Sequence, residues 1–429
     1  MTRVLEADLT WSGTRFEPGV QIAVGADGRI EAVGPLGRTG AEGLKGVALL
    51  PGFVDAHSHA FQRGLRGQGE RFPAGAGSFW TWREAMYGLV NSLDRASVRR
   101  LSAKAFEEMR DAGITTVGEF HYVHHQRDAD FALDEAVLQA ATDVGIRLVL
   151  LYSYYSTSAP GQPLQGPQRR FATPSVDGFW RQVDRLIPQL DPATQTLGVA
   201  PHSIRAVSPD EIAALHEEAV HRGLPLHLHV EEQRREIDES IAAYGRTPMA
   251  AILDAVGDGA FTAVHCTHTA DADMERFLAA GGIVCLCPLT EGNLGDGIPR
   301  LARAHAVGGR LAIGTDSNNR LSMLEEMRWL EYGQRLRDEL RGALPDAGGT
   351  LAPTLLHAGT SGGARALGLS AGLIEAGCWA DLVAIDLGAA PLAEVPREQL
   401  LESLVFGAGN EVILGTYVGG RWRATAERE

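Results

Sequence analysis

The residues PGFVDAHSH, at positions 51–59, join a short apolar run to two histidines. The run 52–56 has the length and composition of a buried strand. Because alternate residues of a strand point to the same face, His57 and His59 can reach into one cavity. The stretch therefore predicts a strand with two candidate metal ligands at its carboxyl end.

Seven further apolar runs follow, separated by helix-like segments such as 97–112, 128–144, 209–222 and 270–280. The eight runs cover residues 52–59, 115–122, 147–155, 196–203, 224–232, 261–268, 281–290 and 310–317. Several are nearly continuous in Val, Ile and Leu, as strands buried on both faces should be. Eight β-then-α units predict an α/β fold, a (β/α)8 TIM-like barrel over residues 51–372, with active residues at the carboxyl ends of its strands.

The two ends of the chain have a different pattern from the middle. Residues 1–50 and 373–429 contain short alternating segments separated by turns. Such segments are typical of antiparallel strands. We expect both ends to combine into one small, discontinuous β-sandwich domain beside the barrel.

Four residues at predicted strand ends could bind a metal: His57, His59, His229 and Asp316. Three imidazoles and one carboxylate suit Zn²⁺ and leave room for water. The sequence has only two lysines, Lys45 and Lys104, and neither lies in a predicted barrel strand where a carboxylated lysine could bridge two metals. We therefore expect one ion per chain.

Two further residues are candidates for proton transfer or charge stabilisation. Glu232 lies three residues after His229 and could move the proton of an activated water. His265 ends the sixth strand and could polarise the substrate. Glu232 belongs to an acidic run with Glu231, Glu236 and Glu239, most of which we expect to be solvated.

Other motifs are expected to be structural. His268 could support the site from behind, and His227 lies deeper in its strand. Trp80 and Trp82 are interpreted as packing residues on a loop or helix over the barrel mouth. The sequence GTSGG at 359–363 matches GxSxG, but it falls within a predicted helix, whereas a nucleophile elbow needs a strand, a turn and a helix.

Composition narrows the function further. The 429 residues carry a net charge of -15, which disfavours nucleic-acid binding through phosphate contacts. No uncharged apolar run is long enough to span a membrane, and no secretory signal is visible. The four cysteines form no disulfide pattern. These features predict a cytoplasmic protein, and the net charge says little about small substrates because a basic pocket can lie in an acidic protein.

The sequence resembles the amidohydrolase superfamily. Its first-strand signature is similar to residues 51–59, and the motif at 229–232, His265 and Asp316 continue the pattern in order. The resemblance implies that His57, His59, His229 and Asp316 bind zinc and that Glu232, His265 and Asp316 are catalytic. A homodimer is the usual assembly of such proteins.

Five segments are similar to the formimidoylglutamate deiminases of bacterial histidine degradation, at 57–63, 119–125, 200–205, 290–297 and 328–337. This narrower resemblance implies zinc-dependent hydrolysis of N-formimino-L-glutamate, a dicarboxylate amidine, to N-formyl-L-glutamate and ammonia. It places five residues around the substrate: Gln62, Arg83, Tyr122, His202 and Arg205. Arginine binds carboxylates through a bidentate fork, in agreement with this placement.

Two departures from the family pattern stand out. Residues Asn318, Asn319 and Arg320 follow Asp316 where the family usually has a histidine and small residues, and Glu231 stands where it typically has alanine. Neither removes an expected ligand. The first is expected to alter contacts of the eighth loop and with them the substrate preference.

Two other functions are consistent with parts of the sequence. Another mononuclear deaminase, acting on a nucleobase or a guanidine-type compound, would need stacking aromatics, for which Phe61, Trp80 and Tyr122 are available. A non-catalytic barrel protein would show broken metal or proton-transfer positions, and all of these are present.

Overall fold

The computed structural model describes residues 2–70, 72, 75, 77–127, 129–306, 308 and 310–425, without the side chains of residues 302 and 303. The predictions for Met1, Asp128 and residues 426–429 lie outside the described residues.

Sixteen strands are formed by the described residues. They are β1 (Arg3–Trp11), β2 (Phe16–Glu17), β3 (Gln21–Val24), β4 (Ile30–Gly34), β5 (Glu42–Pro51), β6 (Phe53–Ser58), β7 (Ile114–His121), β8 (Arg147–Tyr154), β9 (Gln195–Pro201), β10 (His227–Val230), β11 (Thr262–His265), β12 (Ile283–Leu286), β13 (Arg310–Ile313), β14 (Leu382–Asp386), β15 (Ile413–Val418) and β16 (Arg421–Ala424).

The same part of the chain contains fourteen α-helices. They are α1 (Phe79–Ser92), α2 (Arg95–Asp111), α3 (Asp134–Val144), α4 (Val176–Leu186), α5 (Pro209–Arg222), α6 (Arg234–Tyr244), α7 (Pro248–Ala255), α8 (Asp271–Ala279), α9 (Pro288–Leu294), α10 (Leu301–Ala306), α11 (Met323–Asp338), α12 (Ala352–His357), α13 (Gly363–Ala366) and α14 (Leu400–Gly407). Short 3₁₀ helices lie at Ala60–Leu65, Gly166–Phe171, Ile187–Gln189, Arg397–Gln399 and Asn410–Val412.

The eight central strands are parallel and form two sets of four, β6-β7-β8-β9 and β10-β11-β12-β13. Isolated parallel bridges join the sets at both seams, Val199 to Leu226 and Ser58 to Asp316. The ring of strands is thereby closed, and the predicted α/β barrel class is confirmed. Observed strands are shorter than the predicted runs where a helix starts early: β12 ends at Leu286 because Pro288, which has no backbone N–H, begins α9.

Both ends of the chain contribute to one eight-stranded sheet, in the order β16-β15-β14-β5-β1-β3-β4, with β2 paired to β1. Its own apolar cluster includes Leu5, Ile22, Leu49, Leu382 and Tyr417. The residue limits assigned to this domain and to the barrel stay a prediction.

Gly52 connects this sheet to the first barrel strand. A Cβ at this position would lie 2.2 Å from Thr115 Oγ1, so only glycine allows β5 to run directly into β6. This close connection sets the position of β6, which ends at the histidines of residues 57 and 59.

The GxSxG motif lies inside a helical segment, as predicted. Residues Ala358–Gly362 form a π-helical turn between α12 and α13, and Ser361 Oγ lies 2.7 Å from His357 Nδ1 one turn away. No strand-turn-helix elbow is formed there. None of the helices formed by the described residues is long and apolar enough to cross a membrane.

Candidate active site

Three histidines from two strand ends meet at the barrel mouth. Each of His57, His59 and His229 offers a ring nitrogen, and these nitrogens lie within 4.8 Å of one another. Asp316, just after β13, completes the group: its Oδ1 is 3.6 Å from His57 Nε2 and 3.5 Å from His59 Nε2. The four candidate ligands predicted from the sequence are thus brought together, and all four are buried.

The protons of two of these histidines are fixed by backbone carbonyls. His59 Nδ1 donates to the carbonyl of Phe120 at 2.8 Å, and His229 Nδ1 donates to that of His202 at 2.9 Å. Each neutral ring then has an unprotonated Nε2. These two Nε2 atoms lie 3.3 Å apart, where two lone pairs repel each other unless a cation binds both.

His57 adds a second sign of a cation site. Neither of its ring nitrogens has a hydrogen-bond partner within the described part of the chain, although the side chain is fully buried. Buried polar atoms are almost always paired. Three imidazoles and a carboxylate are the donor set that a borderline cation such as zinc prefers, so the residues present fit a metal ion.

Titration behaviour agrees with this set of ligands. Burial lowers the pKa of His57 to about 3 and that of His229 well below its usual value, which keeps both rings neutral. Burial opposes ionisation of Asp316, but its contacts with His57 and His59 outweigh that and hold its pKa below the usual range. Neutral imidazoles and an ionised carboxylate are the forms that bind metals.

His265 lies among carboxylates next to this group. Its Nδ1 is 3.3 Å from Glu291 Oε1, and its Nε2 is 3.9 Å from both Glu232 Oε1 and Asp316 Oδ2. Burial favours the neutral ring, but these carboxylates outweigh it and raise the pKa of His265 to about 10. A cationic His265 can therefore stabilise negative charge that develops beside it.

Non-glycine residues in the left-handed region mark the same place. The φ angle is +76° at His265 and +50° at Asp316. Such conformations cost free energy and persist where the surrounding structure enforces them, which is frequent at active sites. The turns direct both side chains towards the barrel mouth.

A cavity of about 340 Å³ opens above the candidate metal ligands. All five residues expected around the substrate line it: Gln62, Arg83, Tyr122, His202 and Arg205. Gln62 Nε2 donates to the Tyr122 hydroxyl at 2.9 Å, while its Oε1 has no partner in the described residues. That carbonyl oxygen is free to accept a hydrogen bond from a ligand.

The two arginines of the cavity are in different environments. Arg205 Nη2 is 3.4 Å from Glu232 Oε2, and its Nε is 3.8 Å from Glu236 Oε2. Arg83 instead lies over the rings of Trp80 and Tyr87, at 5.1 and 5.2 Å, and no carboxylate is within ion-pair distance of it among the described residues. Arg83 is thus available to a carboxylate ligand, whereas Arg205 is shared.

The expectation that most of the acidic run is solvated was wrong. Glu231 and Glu236 are each only 1% exposed, because α6 begins at Arg234 and packs over the barrel mouth. Glu231 has a φ of +54° and accepts from the backbone N–H of Met249, near the start of α7. The Glu231 side chain, which replaces the alanine of the family pattern, therefore points away from the cavity.

The departure in the eighth loop also lies outside the cavity. Asn318 is fully buried and donates to Ser58 Oγ at 3.0 Å and to the carbonyl of Asp316 at 3.1 Å. Arg320 is exposed and pairs with Glu325. Asn318 thus supports the seam between the first and last barrel strands, and within the described structure neither it nor Arg320 lines this cavity.

Several cavity residues were missed from the sequence. Trp80 and Trp82, interpreted as packing residues, line the cavity from α1, and Tyr155 and Arg235 join them. The Arg235 guanidinium lies 4.4 Å from the Trp80 ring centre. For Trp80 and Trp82 the available signal was the sequence FWTWR at 79–83, which places three aromatic residues and an arginine at the start of α1.

The fold and the site define the class of protein: a parallel barrel with a candidate metal site at its mouth. The model of the amidohydrolase family matches residues 48–423. The chain belongs to the amidohydrolase family, which is metal-dependent, and the prediction of a hydrolase for C–N bonds is confirmed.

Three relatives are similar over nearly the whole chain. Formimidoylglutamate deiminase from Pseudomonas aeruginosa is 40% identical over 412 residues, which cover 94% of this chain and 90% of that protein. The crystal structure of an amidohydrolase from Brucella melitensis has a TM-score of 0.85 and 31% identity, covering 97% and 95% of the two chains. An adenosine deaminase from Xanthomonas campestris with bound zinc has a TM-score of 0.81 and 26% identity, covering 98% and 92%.

Proposed function

We propose that this protein is a zinc-dependent deiminase that hydrolyses N-formimino-L-glutamate to N-formyl-L-glutamate and ammonia. The observation that carries the proposal is one cavity that joins a His₃Asp ligand set to two arginines, Arg83 and Arg205. The substrate has two carboxylates, and guanidinium groups bind carboxylates through paired hydrogen bonds. The similarity to the Pseudomonas enzyme supports it. A cytoplasmic place in histidine degradation is part of the same proposal.

The residues that would hold one zinc ion are His57, His59, His229 and Asp316. A bound zinc ion supplies Lewis acidity that makes water a better nucleophile near neutral pH. The carbonyls of Phe120 and His202 keep two of the rings oriented for this task.

The substrate would be fixed by both ends. Arg83 and Arg205 bind its carboxylates, and the free Oε1 of Gln62 accepts an N–H of the formimino group. Holding the reacting carbon in one place converts binding energy into rate, worth roughly 7–11 kcal/mol of the barrier at the upper end.

Glu232 and His265 would carry out proton transfer and charge stabilisation. As water attacks the carbon of the protonated formimino group, Glu232 accepts one proton of the water and delivers it to the departing nitrogen. The C–N bond breaks, ammonia leaves, and Asp316 accepts the remaining hydroxyl proton as the formyl C=O forms. Burial raises the pKa of Glu232, which makes this carboxylate a better base than a solvated one. The cationic His265 stabilises the tetrahedral centre from the side opposite Glu291.

The decisive experiment measures ammonia release by the zinc-loaded protein from N-formimino-L-glutamate, with adenosine, guanine and cytosine in parallel. Metal-free protein is the control. We expect rapid release from N-formimino-L-glutamate alone. Release from a nucleobase or nucleoside instead would overturn the proposed substrate and assign the aromatic wall of Trp80, Tyr87 and Tyr155 to base stacking.

A further inference from the structure

We infer that Arg205 is a latch on Glu232 that a carboxylate of the substrate opens, and that Glu236 is the positioning residue that holds Arg205 in place. The inference rests on the proposed function and deepens it. It links recognition of the substrate's carboxylate to release of the group that moves the proton.

The latch is visible in the contacts of Arg205. Its side chain is only 11% exposed and lies between two buried carboxylates. Its Nη2 contacts Glu232 Oε2 at 3.4 Å, and the other oxygen of Glu232 faces His265 Nε2 at 3.9 Å. Glu232 is thus contacted by Arg205 through one carboxylate oxygen and by His265 through the other.

Glu236 has no other evident task. Both of its carboxylate oxygens are buried and lack a hydrogen-bond partner within the described structure. The one cation within ion-pair distance there is Arg205, whose Nε is 3.8 Å from Glu236 Oε2. Burying a carboxylate costs free energy unless the carboxylate is paired with a cation. Because Arg205 is the cation opposite Glu236, we assign Glu236 the role of positioning the Arg205 guanidinium.

The charged groups around Glu236 come from two segments. Arg205 lies on the loop after β9 and attracts it, while Glu232 and Glu231, after β10, repel it. Burial is the largest influence and raises the pKa of Glu236 to about 7. Its ionised form is stabilised chiefly by Arg205.

The planar guanidinium explains how one side chain serves two partners. Glu236 faces the Nε edge, while Nη2 contacts Glu232, which lines the cavity together with Arg205. A substrate carboxylate that binds the Nη end takes the place of Glu232 Oε2. Glu232 is then free to accept the proton of the attacking water, and Glu236 remains as the fixed counter-charge. No covalent step is added to the reaction.

This arrangement predicts that a substrate without a carboxylate loses turnover as well as affinity, since Glu232 stays engaged by Arg205. The first test measures kcat for N-methylformamidine with and without added propionate. In the wild-type protein, propionate should raise kcat by about 10- to 100-fold, the range for one charge-assisted hydrogen bond. An Arg205→Lys variant should show no such rescue, because an ammonium has no separate edges for two carboxylates.

The second test addresses Glu236. In a Glu236→Gln variant, Arg205 has lost its fixed counter-charge and pairs more closely with Glu232. We expect kcat for N-formimino-L-glutamate to fall about tenfold and half-maximal rescue to need about tenfold more propionate. A Glu236→Asp variant keeps the carboxylate, so its kcat and its propionate requirement should both lie between those of Glu236→Gln and the wild type. Asp238→Asn, on the exposed face of the same helix, removes the same charge and should change neither.

The outcomes separate the two proposals. If N-formimino-L-glutamate is not hydrolysed at all, the proposed function fails. If it is hydrolysed but wild-type protein shows no propionate rescue, or Arg205→Lys shows the same rescue, the latch is wrong and the proposed function stands. The wild-type rescue remains decisive even if Glu236→Gln does not fold.

Discussion

Two buried clusters of histidine and carboxylate lie near the carboxyl ends of the barrel strands, and their hydrogen bonding differs. In the metal-ligand cluster, the Nε2 atoms of His59 and His229 face each other at 3.3 Å. Both nitrogens of His57 are unpaired in the described structure. These unpaired nitrogens make the cluster a candidate cation site.

The second histidine cluster consists of His121, His124 and Asp134 and is complete without one. His121 Nε2 and His124 Nδ1 lie 3.0 and 2.9 Å from the same oxygen of Asp134, whose other oxygen accepts from the Tyr152 hydroxyl at 2.8 Å. His124 Nε2 faces the carbonyl of Ser153 at 2.8 Å. Similar residue types thus build either a metal site or a structural network, and the positions of the hydrogen-bond acceptors distinguish them.

Removing one histidine from each cluster gives the largest expected contrast. His229→Ala should lose bound metal and reduce kcat/KM roughly a thousandfold or more, because the metal supplies several kcal/mol of transition-state stabilisation. His121→Ala should retain the metal. Metal analysis after dialysis, together with ammonia release, checks both. Equal metal loss in the two variants would contradict the comparison.

Disrupting the second histidine cluster should affect stability. Asp134→Asn leaves two buried imidazoles without their carboxylate and is expected to lower the free energy of unfolding by about 3–5 kcal/mol. Its metal content should equal that of the wild type. Urea unfolding followed by circular dichroism measures the change in the free energy of unfolding. If Asp134→Asn were as stable as the wild type but had lost its metal, this cluster would be a metal site.

A smaller effect is expected at the seam beside the metal ligands. Asn318→Ala removes the hydrogen bonds to Ser58 and to the carbonyl of Asp316 and should cost about 1–3 kcal/mol of stability. Because Asn318 does not line the cavity, KM should change little. A large rise in KM with unchanged stability would give the eighth loop a direct role in substrate binding.

The smallest expected effect is the loss, in acid, of the stability that ionised Asp134 contributes. Burial opposes ionisation of Asp134, but His124 and His121 outweigh it and hold its pKa below the usual value. A carboxylate whose folded-state pKa is depressed stabilises the fold above its unfolded pKa, and this contribution is lost as the pH falls through the folded-state pKa.

The difference in melting temperature between the wild type and Asp134→Asn should therefore be constant near neutral pH and narrow below about pH 4. Melting curves from pH 7 to pH 3 provide the measurement. If the difference in melting temperature widened in acid, the pKa of Asp134 would be raised rather than lowered by folding, which would contradict this prediction.

Much of the barrel could be predicted because each parallel strand is apolar along its length and polar at its end. The limits of α5 at Pro209–Arg222 agree with prediction, since Ser208 and Glu211 form a local capping box. The lengths of strands β10 to β13 were overestimated, because the polar residues after each strand form turns rather than further pairs with the neighbouring strand.

The surroundings of the site were harder to predict than its ligands. Glu231 and Glu236 look like surface residues in the sequence, yet both are buried beneath the start of α6. Asn318 looked like a determinant of substrate preference, yet it supports the barrel seam. Burial of a polar side chain depends on which helix covers it, and local sequence does not encode that packing.

The sequence by itself determined the class of fold and the family, and it predicted His57, His59, His229 and Asp316 as candidate metal ligands. Strand periodicity and the polar residues at strand ends are local properties that can be read from the sequence, and the resemblance to the family joined the four candidate ligands into one set. Only the tertiary structure decided how Arg205 is shared and which histidine cluster is left unpaired. Those properties depend on distances between groups far apart in the chain, which closure of the barrel alone brings together.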